Sequence, residues 1–394
     1  NGEAVPPDVG RHAYLALLTW SLYTFFPTIR IGDDMTRVYN FCAGPCTLPL
    51  SVLEEVQAEF LDFRGSGMSI IEHSHRGVEY DAVHEESLAL FRQLFAVPDQ
   101  FEILFLQGGG VLAFSMVPMN LLREGEEAAY IRSGTWGVGA EKDAAFYGSV
   151  YTGWDGKPHS YSRMPAPEEI EIRPGTRYLH ITSNETIEGV RFVDFPRLGV
   201  PLVADMSSDY LSRPIPWELF DLVYGGAQKN LGPAGLAIVV VRRSVLESSN
   251  RKLGSYLRFD LQAEKRSLLN TPPMFAIYMM GKVLNWMRAV GGVAEMKRRA
   301  DGRSGQVYRA IDESGGFYSS PVERDHRSVM NLVFRLPSDE LDAAFLKGAE
   351  AVGFFNLKGH RSVGGMRASI YNAMPDEGVD ALTAYMTEFA ARHG

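Results

Sequence analysis

The chain has 394 residues, 45% of them hydrophobic and 22% charged, so it can bury a sizeable core and has the length of two domains. A formal net charge of −9 speaks against a nucleic-acid binder, and an anionic ligand would need a local cluster of Arg and His. The two cysteines, Cys42 and Cys46, have no second pair to complete a zinc site. They read as two small buried hydrophobes in a reducing compartment, and no metal is expected.

Residues 1–34 carry an apolar patch from Tyr14 to Phe26, broken by Pro27 and shorter than the ~20 residues that cross a bilayer. Asp8 precedes the patch and no small-residue cleavage site follows it. This stretch is expected to be an extension outside the folded enzyme and dispensable to it, with Met35 as the natural start. Residues 35–49 form an N-terminal segment, 50–292 a large domain and 293–394 a smaller α+β domain. Nothing else resembles a membrane segment, so a cytoplasmic protein is expected.

Apolar spacing predicts a helix over 49–61, with Leu50, Leu53, Val56 and Phe60 on one face. A second helix is expected over 80–95, then a strand over 101–106 and a helix over 111–122. Further strands fall at 128–131, 177–181, 200–205, 220–226 and 236–241. A long helix over 273–290 ends at Gly291-Gly292, and a strand over 329–336 lies in the small domain. Strands alternating with helices predict an α/β fold, a mostly parallel sheet flanked by helices.

The loop Ala227-Gln228-Lys229-Asn230-Leu231-Gly232-Pro233-Ala234-Gly235 puts one lysine between two buried strands. Desolvation there disfavours the ammonium and frees the amine for a carbonyl. Asp205 ends another Val-rich strand. A lysine for a Schiff base and an aspartate for a pyridinium nitrogen mark pyridoxal phosphate (PLP) chemistry. Gln107-Gly108-Gly109-Gly110 opens the helix at Val111, where free N–H groups suit a phosphate. Trp136 could stack on a ring and Thr186 could bond a ring substituent. His75-Arg76 and His360-Arg361, with Arg367, are cationic loops suited to carboxylate or phosphate. Taken singly, each has a plainer account as a loop lysine, a helix cap, a turn, a core tryptophan or a solvated surface.

Together these segments resemble the phosphoserine aminotransferase family, PLP-dependent enzymes of fold type I, class V, in a bacterial style. The resemblance runs from about Val38 to Gly394. It rests on the segments 41–45, 68–77, 104–109, 204–208, 225–235, 270–273 and 359–373. It implies that Lys229 bears the cofactor, Asp205 meets its ring nitrogen, Trp136 stacks and Thr186 contacts the ring hydroxyl region. Gly110, Val111 and Gln228 would cup the phosphate. Asn270 and Thr271 would reach the phosphate bound in a second subunit of a homodimer. Arg367 would hold the substrate α-carboxylate, and His75, Arg76, His360 and Arg361 the distal anion. The implied reaction moves the amino group of L-glutamate to 3-phosphohydroxypyruvate, giving O-phospho-L-serine and 2-oxoglutarate. The homologous substrate of vitamin B6 synthesis, leading to 4-phosphohydroxy-L-threonine, fits the same pocket. Val111 stands where some members carry Arg, and Ala43 where some carry Ser. A cysteine desulfurase would need a mobile cysteine, whereas Cys42 and Cys46 precede the sheet. A PLP-binding protein without turnover would lack the lysine or the substrate arginines.

Overall fold

The computed structural model describes residues 29–31, 35–247 and 252–394. The patch from Tyr14 to Phe26, expected to be dispensable, lies outside the described residues. A short antiparallel pair joins β1 (Ile29–Ile31) to β2 (Met35–Arg37), and β3 (Tyr39–Asn40) follows. Then come α1 (Leu50–Glu59), α2 (Val78–Leu94), β4 (Phe101–Gln107), α3 (Gly110–Leu121), β5 (Glu127–Arg132), α4 (Thr135–Ala144) and β6 (Ser149–Asp155). β7 (Thr176–Thr182), β8 (Leu202–Asp205), β9 (Phe220–Gly226) and β10 (Leu236–Arg242) complete a seven-stranded sheet of order β4-β10-β9-β8-β7-β5-β6. β10 runs antiparallel to both its neighbours, and the other adjacent pairs are parallel.

Successive side chains of a strand face opposite ways, and both faces here are apolar. Two short helices, α5 (Arg243–Glu247) and α6 (Phe259–Glu264), follow the sheet, and Ile103 and Phe105 of β4 join one core with α2 and the next helix, α7 (Met274–Ala289). Leu104 and Leu106 join the other core with α3 and α4. The long helix α8 (Gly292–Asp312) begins where Gly291 and Gly292 take φ of 116° and 71°. Its Val293 and Met296 pack in the large core, and its Val307 and Ile311 in the small one. The small domain adds β11 (Asn331–Phe334), α9 (Asp339–Ala351), β12 (Phe354–Phe355), β13 (Met366–Ser369) and α10 (Asp376–His393). β11 and β13 pair antiparallel, and β12 pairs with β3, tying the N-terminal segment to the small domain. Among the described residues no helix is long and apolar enough to cross a membrane.

Three sequence expectations change. The face of α1 that packs inward is Val52 and Val56, whereas Leu53 and Phe60 are exposed. The apolar spacing there marks a stripe wider than the core covers. β6 escaped prediction because it is an edge strand, only partly buried and interrupted by Gly153. The strand expected over 329–336 is trimmed to Asn331–Phe334.

Candidate active site

The parallel strands end on one edge of the sheet, where ligands of open α/β sheets bind. The turns after β4, β5, β7, β8 and β9 deliver Gly110, Trp136, Thr186, Asp205 and Lys229 respectively. The β9–β10 loop is short because Ala227 N–H bonds back to Leu236 O at 2.9 Å, and Gly232 N–H to Ala227 O at 2.8 Å. Lys229 is thereby held inside the protein, 8% exposed. Its Nζ donates to Thr186 Oγ1 at 2.6 Å and stands 5.8 Å from the centre of the Trp136 ring. Burial lowers its pKa to about 8, against the pull of Asp205 and Glu185.

Asp205 is buried, and burial raises its pKa while Lys229 and Ser207 oppose the rise. Ser207 gives it a backbone bond at 2.8 Å and a hydroxyl bond at 2.6 Å, both to Oδ1. It ends a strand and caps no helix. Trp136 lies in the first turn of α4, with its indole N–H buried and unpartnered. Arg367, on β13, reaches Thr186 O at 3.3 Å, and among the described residues its buried Nε, like the Trp136 indole N–H, has no partner. Burial lowers its pKa.

After β4, Gly109 caps α3 and opens onto free space, whereas a Cβ on Gly110 would come 2.9 Å from Ser207 Oγ. Val111 points outward at 57% exposure, so this turn offers backbone N–H groups without a cation of its own. Gln228 is half-buried beside the lysine. The cysteines prove not to stand apart from the site. Cys46 Sγ donates to Lys229 O, and burial pushes its thiol up to about 12. It is therefore an inert thiol bracing the lysine loop.

The remaining cationic residues form separate groups within one chain. His75 Nδ1 lies 3.4 Å from Thr271 Oγ1, and Gln107 Nε2 donates to Thr271 O at 2.8 Å. Asn270, Thr271 and Arg76 are exposed. His360 Nδ1 lies 2.7 Å from Ser362 Oγ, with Arg361 exposed beside it. Among the described residues no hydrogen bond or ion pair joins either His-Arg pair to Lys229.

Sequence reasoning missed a buried polar seam beside the site. Asn184 Nδ2 donates to Ser208 Oγ and to Asn331 Oδ1, each at 2.8 Å. Asn331 Nδ2 donates to Ser369 Oγ at 2.9 Å and Tyr371 OH at 3.0 Å. Asn230, next to the lysine, donates to Ser208 O at 3.1 Å and accepts from Asn372 N–H at 3.0 Å. It also missed Glu185 and Glu188, two acids in the otherwise uncharged run from Tyr178 to Val190 apart from His180. That contrast was the available signal.

A buried lysine, a buried aspartate and a tryptophan ring gather at one sheet edge, and the chain is a transferase: it belongs to the aminotransferase class-V family, whose model matches residues 38–382. Within that class its relatives are phosphoserine aminotransferases. It is 48% identical over 358 residues to the phosphoserine aminotransferase of Lysinibacillus sphaericus (strain C3-41), covering 91% of this chain and 99% of that one. The solved phosphoserine aminotransferase from Bacillus circulans subsp. alkalophilus superposes with a TM-score of 0.89 at 48% identity, covering 91% of this chain and 99% of that chain. A PLP-bound phosphoserine aminotransferase from Trichomonas vaginalis superposes with a TM-score of 0.85 at 37% identity, covering 89% and 99%.

Proposed function

We propose that this transferase carries PLP on Lys229 and transfers the amino group of L-glutamate to 3-phosphohydroxypyruvate, giving O-phospho-L-serine and 2-oxoglutarate. The observation that carries this reading is the buried Lys229 Nζ, bonded to Thr186 Oγ1 at 2.6 Å beside Trp136. The residues fit the cofactor. The open space over Gly109, the Trp136 ring 5.8 Å from Lys229 Nζ and the side of Asp205 away from Ser207 match a phosphate, a flat ring and a protonated ring nitrogen.

When bound, PLP supplies an electron-withdrawing ring that stabilises negative charge at the substrate Cα. Lys229 Nζ takes the Cα proton and returns it, a task suited to a base whose pKa is about 8. Thr186 orients that nitrogen. Asp205 keeps a proton on the ring nitrogen, and Trp136 covers one ring face. Backbone N–H groups at Gly110 and Val111, with Gln228, hold the phosphate. Arg367 takes the α-carboxylate, and its buried unpartnered Nε is a donor awaiting one.

His75, Arg76, His360 and Arg361 read the distal anion. Among the described residues no hydrogen bond joins the two pairs, and the pocket is assembled across a homodimer on this reading, with Asn270 and Thr271 reaching the other subunit's cofactor. Exposed apolar side chains stand on either side of His75 and Arg76 in the chain: Ile71 at 50% and Val78 at 79%. Such a surface suits a second copy of this chain. Because recognition falls on the two terminal anions, the vitamin B6 precursor 3-hydroxy-2-oxo-4-phosphooxybutanoate is a second substrate of the same reading. Free thiols at Cys42 and Cys46 are in keeping with a cytoplasmic setting.

A coupled assay with glutamate and 3-phosphohydroxypyruvate tests the reading, with 2-oxoglutarate release as the signal. Borohydride should then fix PLP to the peptide containing Lys229. Turnover with glutamate and unphosphorylated oxo acids only, or labelling of another lysine, would overturn it.

A further inference from the structure

Two acids behind Lys229 are not used in the proposed transamination, although the role inferred for them rests on it. Glu185 is fully buried and Glu188 is 8% exposed. Both turn towards the start of α4. Glu185 Oε1 accepts from Ser133 Oγ at 3.0 Å and from Gly137 N–H at 2.9 Å, while its Oε2 accepts from Trp136 N–H at 3.1 Å. Glu188 Oε1 accepts from the Thr135 N–H at 3.0 Å and the Thr135 hydroxyl at 2.6 Å. The residue that would ordinarily cap this helix is Gly134, which has no side chain to do so. A Cβ there would collide with both carboxyl groups, so the glycine admits them.

A serine or aspartate at position 134 would cap the helix without burying two acids. The cap from β7's turn achieves something a local one cannot. Glu185 adjoins Thr186, the residue that holds Lys229 Nζ. One dipeptide therefore grips the backbone of Trp136 and the nitrogen of Lys229 together.

We propose that Glu185 is a positioning residue: its carboxylate fixes Trp136 relative to Lys229 and so sets the tilt of a ring stacked on Trp136 against the base that moves the Cα proton. Glu188 steadies the same helix end. Burial raises both acids, and Glu188 raises Glu185 further. All three donors on Glu185 need acceptor oxygens, so the proton the pair retains belongs on Glu188 Oε2, which is buried and unpartnered among the described residues.

Glu185→Gln tests this. The amide keeps the volume and one acceptor oxygen but sets an N–H against one group of donors. Three readouts are compared with the unmutated protein and with Glu188→Gln. These are hydrogen exchange at the Trp136 amide in cofactor-free protein, visible circular dichroism of the PLP-loaded protein, and kcat with KM for glutamate. In Glu185→Gln, Trp136 exchange should rise about tenfold or more. The visible dichroism should weaken, and kcat should fall roughly tenfold to a hundredfold with KM changed less than about threefold. Glu188→Gln should leave Trp136 exchange near the unmutated value. Unchanged exchange in Glu185→Gln overturns the proposal. So does faster exchange with unaltered dichroism and kcat, which would make Glu185 a helix cap alone. If the unmutated protein bound no PLP, the functional reading would fail, while Trp136 exchange would still decide whether Glu185 holds that backbone.

Discussion

Lys229 holds its proton poorly, and that has a measurable sign. Its folded pKa of about 8 lies below the ordinary 10.5, with burial as the cause. Between those values the unfolded chain binds the extra proton, so stability of the cofactor-free protein rises with pH across the window. Below about pH 8 the cost of the buried ammonium is fully present. Lys229→Met should therefore stabilise the cofactor-free protein at pH 7, by up to about 3 kcal/mol at 1.36 kcal/mol per pKa unit. The gain should vanish near pH 10.5, as urea unfolding at the two pH values would show. A gain independent of pH would trace to packing. Arg76 and Arg367 divide recognition on our reading. Arg76→Ala should weaken glutamate and phosphoserine by about tenfold to a hundredfold and spare alanine, since charged contacts are worth roughly 1.5–3 kcal/mol. Arg367→Ala should depress kcat/KM for all three alike, and equal losses in both variants would end the division. Lys229 was legible as the one lysine in a loop between two apolar runs, and Asp205 as the charge that ends a third. Glu185 was not, because its meaning lies in a helix that precedes it by 48 residues and touches it only in three dimensions.

At the scale of elements, strands buried on both faces were the easiest to read. Continuous runs such as Leu236–Arg242 show burial on both faces, and Gly-Pro punctuation marks the turn before them. Element edges and half-buried pieces were harder. β6 alternates weakly, and α1 carries more apolar residues than its own core needs, because Leu53 and Phe60 remain outside. Helix α4 illustrates what no propensity reports: its start is closed by side chains from another turn. Gly134→Ala should force both acids away from that end and cost about 1–3 kcal/mol, the usual penalty for overpacking. Thermal melts of the cofactor-free protein would check it. An unshifted melting point would mean that the acids have room to yield.

The large sheet packs a core on each face and the C-terminal elements pack another, and α8 runs from one of the former into the latter. Beside it lies the seam of Asn184, Asn331, Ser369 and Tyr371. Apolar side chains can slide past each other with little loss, but a buried amide has partners in one register only. Asn331→Ala takes one partner each from Asn184 Nδ2, Ser369 and Tyr371, although Asn184 keeps Ser208 and Tyr371 keeps Ala43 O, and should cost roughly 1–3 kcal/mol. Denaturant unfolding followed by separate probes in each core would also lose coincidence if this seam couples them. The break between α7 and α8 was visible as Gly291-Gly292. The seam was not, since its members are scattered single residues whose partners arise only when the chain is folded.

That seam also imposes an order on manufacture. Asn230, the neighbour of Lys229, completes its bonding with Asn372, which lies 142 residues further along the chain. The ribosome has released every strand of the seven-stranded sheet long before that partner emerges. A chain still being translated thus carries the lysine in a loop without its far brace, and Arg367 is not yet made. On the proposed reading, a cofactor on Lys229 reaches its final setting only in the finished polypeptide, and the burial that lowers the lysine's pKa is complete only then.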